Sequence, residues 1–284
     1  IFPISSKGRL MLTKSFQAGT LYFHPAQQKA ADLVFPACLK SVRLIRQLWE
    51  LPVPPDLRVY VMTSWLQFFY QAAPWIHRIL QTASFPLWAP KASRLWQYAG
   101  GWAQNFGARS TVGIKPPELI EQSDLSLGKR IFTFNHINAK IENLTCHELT
   151  HAFSLHLPLP GWLKEGLPTY TVDRYFDRPT IRPETLDLVL RLTDGGDLLN
   201  SKPFRVKDPD RTIARYVQGY WLTRWLEETR PGLIRSQLNS SHTANEFHRN
   251  IVEGCGKNSS VNVLDFWNEI RPEIASHFSQ QIQS

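Results

Sequence analysis

The chain has 284 residues, 43% of them hydrophobic and 20% charged, a balance that fills a real core and excludes a disordered protein. Its formal charge is +8, and no apolar run approaches the roughly 20 residues of a membrane-spanning helix. Three cysteines, Cys38, Cys146 and Cys255, are odd in number and far apart, which excludes a disulfide framework and a Cys-x-x-Cys metal knuckle.

In chain order, the first residue is Ile1 rather than Met, which leaves room for an upstream signal or anchor, so the compartment stays open. Short strands are predicted at 19–24 and 57–62. Between them Ala26 to Leu51 reads as a helix, with Ala30, Leu33, Val34, Leu39, Val42, Ile45 and Leu48 near helical spacing and Pro36 expected to break or kink it. Residues 65–100 read as helix interrupted by Pro74, Pro86 and Pro90. One extended stretch follows from Gly100 to Ile114, and then a helix from about Asn138 to Leu155 that stops before Pro158 and Pro160.

The second half reads as mostly helical. Asp210 is the expected N-cap of a helix over Arg211–Glu228, Thr243-Ala-Asn-Glu246 has the form of a capping box, and Gly254 is a helix stop. Residues 193–210, rich in Gly, Asp, Pro and Ser, are the expected long loop. The organisation expected is an α/β part over 1–175 and a helical part over 176–284.

The charge is unevenly placed. Residues 1–100 hold 11 Lys or Arg against three acids, Asp32, Glu50 and Asp56, which is the whole excess. From Leu57 to Pro117 there is no acid, and five of the ten tryptophans lie there: Trp65, Trp75, Trp88, Trp96 and Trp102. Such a stretch suits contact with anionic lipid or nucleic acid. An amphipathic subdomain with snorkelling arginines is the plainer account, and it is preferred because no helical stripe of lysines accompanies the aromatics.

The chemistry concentrates at His-Glu-Leu-Thr-His, residues 147–151. On a helix His147 and His151 lie one turn apart on one face, so both imidazoles can reach one ion, and Glu148 projects beside them as a base for a metal-activated water. Catalytic zinc takes a third protein ligand and keeps one position open. A histidine six residues after the second is ruled out, because that position is Leu157, and His156 falls one short. Glu165, beyond a proline-containing loop that lets the chain reverse, is the better candidate.

H-E-L-T-H-A-F followed by L-P-G-W-L-K-E-G-L-P-T-Y resembles the gluzincin metallopeptidases, in particular the peptidase-MA-like group with its thermolysin-like or zinc-aminopeptidase-like catalytic domain. The resemblance covers about residues 100–270. It implies His147, His151 and Glu165 as ligands of one zinc ion and Glu148 as general base. The chain departs from the pattern in a shorter gap to Glu165 than in thermolysin-like enzymes, and in Pro168 where Ala is usual; Pro168 leads one to expect a ligand helix that kinks or begins late. R-Y-V-Q-G-Y-W-L, from Arg215, is similar to the segment that supplies an oxyanion-binding tyrosine in zinc aminopeptidases, which implies that role for Tyr216; packing beside Val217 and Tyr220 is the alternative. G-W-A-Q-N-F-G, Gly101 to Gly107, resembles the edge strand that holds substrate in the same enzymes. It implies substrate contact at Gly101 and at Gln104, where the family carries a glutamate; an ordinary glycine-flanked strand is the alternative.

The expectation is therefore an α+β, thermolysin-like zincin fold, with a mixed N-terminal sheet and HExxH helix, and a helical C-terminal subdomain. It would act as a zinc peptidase on peptide or protein substrates, with cleavage within chains favoured. An inactive peptidase-like binding module and a peripheral membrane or nucleic-acid binder are the rival readings, nucleic acid being the less favoured partner.

Overall fold

Apolar side chains at alternate positions, as in Leu57, Val59 and Val61, turn short β-branched runs into strands with one face in the core. The computed structural model describes residues 11–123, 128–134, 136–192, 209–258 and 262–282. In chain order its elements are β1 (Leu12–Phe16), β2 (Gly19–Phe23), α1 (Gln28–Trp49), β3 (Asp56–Val61), α2 (Trp65–Ala72), α3 (Trp75–Ala83), α4 (Phe85–Trp96), β4 (Gly101–Phe106) and β5 (Arg109–Ile114). Helices follow: α5 (Pro117–Ser123), α6 (Gly128–Ile131), α7 (Ile137–Ser154), α8 (Gly161–Phe176), α9 (Glu184–Leu192), α10 (Pro209–Thr229), α11 (Leu233–Leu238), α12 (Ala244–Gly254) and α13 (Val263–Ile282). This is an α+β chain.

The chain divides into two units, not by a single cut at 175. One takes Ile1–Val42, Val53–Asp124 and Asn135–Phe153; the other takes Arg43–Pro52, Leu125–Phe134 and Ser154–Ser284. The first holds one five-stranded sheet of order β1-β2-β3-β5-β4, antiparallel at both ends and parallel at β2–β3 and β3–β5. The predicted single extended stretch 100–114 is in fact the hairpin β4–β5, turned at Gly107 with φ +74°, a left-handed value that favours glycine. β4 is therefore an end strand, and Gln104 pairs with Thr111.

Tryptophans of the acid-free stretch mostly point inward. Phe69 is the hub, its ring 5.1 Å from Trp88 and 5.3 Å from Trp102 on β4, with Trp65 5.7 Å from Trp88. Lys115 is buried with its ammonium 4.3 Å from the centre of the Trp96 ring, and burial lowers its pKa to about 8. α1 runs through Pro36, so of the expected break or kink the break does not occur. Pro36 and Asp32 are both exposed, so water can satisfy the Asp32 carbonyl that loses its helical partner. Leu39, expected in the apolar stripe, is exposed, whereas Ala30, Val34 and Ile45 are buried.

The second unit is organised by α8 and α10. A Cβ on Gly166 would strike the Thr223 hydroxyl and the Gly219 carbonyl, and one on Gly219 would strike the Trp162 carbonyl. The two backbones therefore touch without side chains between them. α8 begins at Gly161 and passes through Pro168, so of the expected kink or late start the late start does not occur. Beside this contact Asp173 accepts hydrogen bonds from the Thr180 backbone N–H (2.7 Å), the Thr180 hydroxyl (2.6 Å) and the Tyr220 hydroxyl (2.7 Å). Arg224 donates to Glu228 at 2.7 Å. The capping box at Thr243 is half as expected: Thr243 Oγ1 accepts from the Glu246 N–H (3.1 Å), while the Glu246 carboxylate accepts from the His242 N–H (2.8 Å). Of the expected loop 193–210, residues 193–208 lie outside the described residues and the last two are helical: Asp210 sits in the first turn of α10, not before it.

Burial raises the Asp173 pKa from 3.8 to about 6, against the pull of its hydroxyl and N–H donors. A carboxyl whose folded pKa lies above its unfolded value lends stability that is fully present below about pH 4 and is lost as pH rises through 6. At about 1.4 kcal/mol per unit this amounts to about 3 kcal/mol. The unfolding free energy of Asp173→Asn, relative to the unaltered protein, should therefore rise by about that amount between roughly pH 3.5 and 7. Urea titrations across that range check it; parallel profiles would show that Asp173 keeps an ordinary pKa.

Candidate functional site

α7 is buried on nearly every side, and beside the apolar Ile141, Cys146, Leu149, Ala152 and Phe153 it buries Asn143, Thr145, His147, Glu148 and Thr150. Polar groups on such a helix cost free energy unless they are partnered or used. Thr150 returns its hydroxyl to the Cys146 carbonyl at 2.8 Å. His147 is buried and His151 is half-buried one turn later. Their rings lie edge to face at 4.7 Å between centroids, and the two Nε2 atoms face each other at 3.1 Å. Two ring nitrogens so placed can share one proton or one metal ion.

Ligand atoms of His147, His151 and Glu165 all lie within 4.8 Å of one another, a group that could hold a metal ion. The donor chemistry fits a three-ligand site of two imidazoles and a carboxylate. Two metal–nitrogen bonds of about 2.0–2.1 Å at a tetrahedral angle put their nitrogens roughly 3.3 Å apart, close to the separation of the two Nε2 atoms. Glu165 is half-buried on α8, one residue before Gly166, and so next to the close backbone contact with α10.

Glu148 is buried on α7 against the start of β4. A Cβ added at Gly101 would lie 2.5 Å from Glu148 Cγ and 2.9 Å from its Oε1, and one at Gly100 would lie 2.6 Å from Leu144 Cδ1. A side chain at Gly101 would require the Glu148 side chain to move, whereas at Gly100 only the flexible end of Leu144 would have to give. Gln104, three residues along β4, is half-buried, and its Oε1 has no hydrogen-bond partner among the described residues. Tyr216 is half-buried on α10 with its ring edge-on to Phe132, centroids 6.0 Å apart.

The predicted ligands are thus brought together, and Glu148 is brought to Gly101. What the sequence reading missed is the second role of the glycines. Gly101 makes room for the Glu148 carboxyl, and Gly166 and Gly219 set where the Glu165 helix lies. A glycine in a helix interior costs about 1 kcal/mol relative to alanine, so Gly219, in the middle of a predicted helix, was a readable sign of close contact. Asp173 carried no such sign, because a lone acid on a helix reads as solvated.

The chain matches no protein-family model and no curated protein.

His147→Ala and His151→Ala should each lose the bound metal of protein loaded with one equivalent of zinc, whereas Gly101→Ala, which disturbs only the Glu148 side, should keep it. Elemental analysis after dialysis reads the result. Full retention in both histidine variants would remove the group as a metal site.

Proposed function

We propose that this protein is a zinc-dependent metallopeptidase with a thermolysin-like catalytic fold. The observation that carries the reading is the convergence of His147, His151 and Glu165 with the Glu148 carboxyl held next to Gly101. Zinc in such a site would supply Lewis acidity and a water that ionises near neutral pH. His147, His151 and Glu165 would be its ligands and leave one position open.

Glu148 would take the proton of the attacking water on a carboxylate oxygen and hand it to the leaving amine as the peptide bond breaks. Its burial supports this, because a carboxylate kept from bulk water exchanges its proton with the reacting groups in preference to solvent. A substrate in extended conformation would add to the outer edge of β4, taking backbone hydrogen bonds from the end strand and presenting its scissile bond near Gly101. Tyr216 would donate a hydrogen bond from its hydroxyl to the developing oxyanion.

Among the rival readings, the inactive binding module is the weaker, since a scaffold does not require Glu148. Glu148→Gln is nearly isosteric and cannot accept the proton. It should keep zinc and lose hydrolysis of a mixed peptide pool. Tyr216→Phe should lower kcat about 10²- to 10³-fold with little change in KM. Zinc-loaded Glu148→Gln that still hydrolyses at the unaltered rate would remove Glu148 as the base, and no hydrolysis by the zinc-loaded unaltered protein would end the peptidase reading; unchanged kcat in Tyr216→Phe would return that residue to packing.

Cleavage within chains is the second part of the proposal. An aminopeptidase grips a protonated amino terminus, which an anion does best, and Gln104 is neutral. An N-terminally acetylated peptide and its free-amine twin should be cut at similar rates. Strong dependence on the free amine would mean that an acid elsewhere anchors the terminus and that the strand has another use.

A further inference from the structure

Helix α3 is turned inside out. At about 100° per residue, Trp75, Ile76, Ile79, Leu80 and Ala83 fall within an arc of about 140°, and His77, Arg78, Gln81 and Thr82 take the opposite face. An amphipathic helix at the surface of a globular domain normally buries its apolar face. In α3 the half-buried residues, His77 and Gln81, lie on the polar side, where Arg78 and Thr82 are exposed. The His77 ring is edge-on to Phe106 at 5.1 Å, Arg78 Nε donates to the Ala73 carbonyl at 2.8 Å, and the Thr82 and Tyr70 hydroxyls are 3.1 Å apart. Trp88 Nε1 donates to the Gln81 carbonyl at 2.9 Å.

The apolar side is left in solvent. Trp75 is 69% exposed, Ile76 52%, Ile79 59% and Leu80 61%, and no α3 residue is buried. Leu87, at 86%, follows in the first turn of α4. Eight of the ten exposed large hydrophobics among the described residues fall between Leu66 and Tyr98, so they form a local feature and not a scatter.

Charge indicates what covers this face. There is no Asp or Glu from Leu57 to Pro117, and on α4 the exposed Lys91 and Arg94 follow Leu87 by four and seven residues, on the same side of the helix. A second copy of this face would bring cations against cations. Nucleic acid would want stacking aromatics, and Trp75 is the one aromatic on the α3 stripe. Aliphatic and tryptophan side chains beside lysine and arginine, with no acid, match an anionic lipid surface.

We propose that α3 and the first turns of α4 form a membrane-contact surface. Trp75, Ile76, Ile79, Leu80 and Leu87 enter the boundary between headgroups and acyl chains, and Lys91 and Arg94 pair with anionic headgroups. No helix among the described residues is long and apolar enough to cross a membrane, so the contact lies in the interface plane. The same helical region meets β4 through Phe69 on Trp102, which would bring lipid-associated substrates close to the end strand. The inference does not rest on the peptidase reading, because lipid binding is measured without substrate.

The test is co-sedimentation of the full chain with vesicles of phosphatidylcholine alone and of phosphatidylcholine with 30% phosphatidylglycerol. Binding is expected to the anionic vesicles, at least tenfold weaker for Ile79→Asp/Leu87→Asp, and for Lys91→Glu/Arg94→Glu weaker and less sensitive to salt. Ile79→Ser/Leu87→Ser, with circular dichroism on every variant, guards against misfolding, though these exposed sites carry little of the core. Absence of binding to anionic vesicles, or equal binding by the unaltered protein and both apolar variants, would overturn the proposal. So would light scattering that shows a dimer which Ile79→Asp/Leu87→Asp makes monomeric, since the face would then cover itself.

Discussion

The contact between Gly166 on α8 and Gly219 on α10 is the constraint on which the second unit depends. Backbone meets backbone there, so neither helix can slide or rotate without a clash that no rotamer change relieves. Two consequences follow from one contact. Glu165, one residue from Gly166, is held in place, and Asp173 is carried to the Tyr220 hydroxyl further along the same pair of helices. Any side chain at either glycine would drive the helices apart and loosen both.

The first unit uses the same device at Gly100 and Gly101. Removing two Cβ atoms from the start of β4 lets Leu144 and Glu148 of α7 approach the strand. A buried carboxyl gains from such a site only if it is used or partnered, because burial by itself works against the charged form. The Glu148 carboxyl and the sheet end thus lie close together where two Cβ atoms are absent. Asp173 is another buried carboxyl, and it is surrounded by donors from Thr180 and Tyr220.

Prolines and polar faces were where sequence rules gave way. Pro36 and Pro168 both sit inside helices that continue past them, since the cost of an interior proline, about 3 kcal/mol for the lost hydrogen bond and the ring clash together, is outweighed by the packing of a long helix. Gly107 reads as a turn only once β4 and β5 are known to pair. α3 has the period of an amphipathic helix, and the period is right, but the direction is reversed. Periodicity tells which residues share a face and is silent on where that face points.

The sequence by itself determined the local and short-range features. The spacing of His147, Glu148 and His151 needs only helical geometry, and the helix ending at Gly254 and the Thr243 cap need only residues three or four apart. The acid-free, tryptophan-rich stretch was equally plain, since charge is additive along a chain. Only the tertiary structure decided that Glu165 comes within reach of the two histidines, that Gly101 opens onto Glu148, and that Asp173 is buried among donors. Each of these joins residues through a loop reversal, a strand pairing or a helix crossing. Their geometry is set by close packing over many residues at once, which no short stretch of sequence encodes.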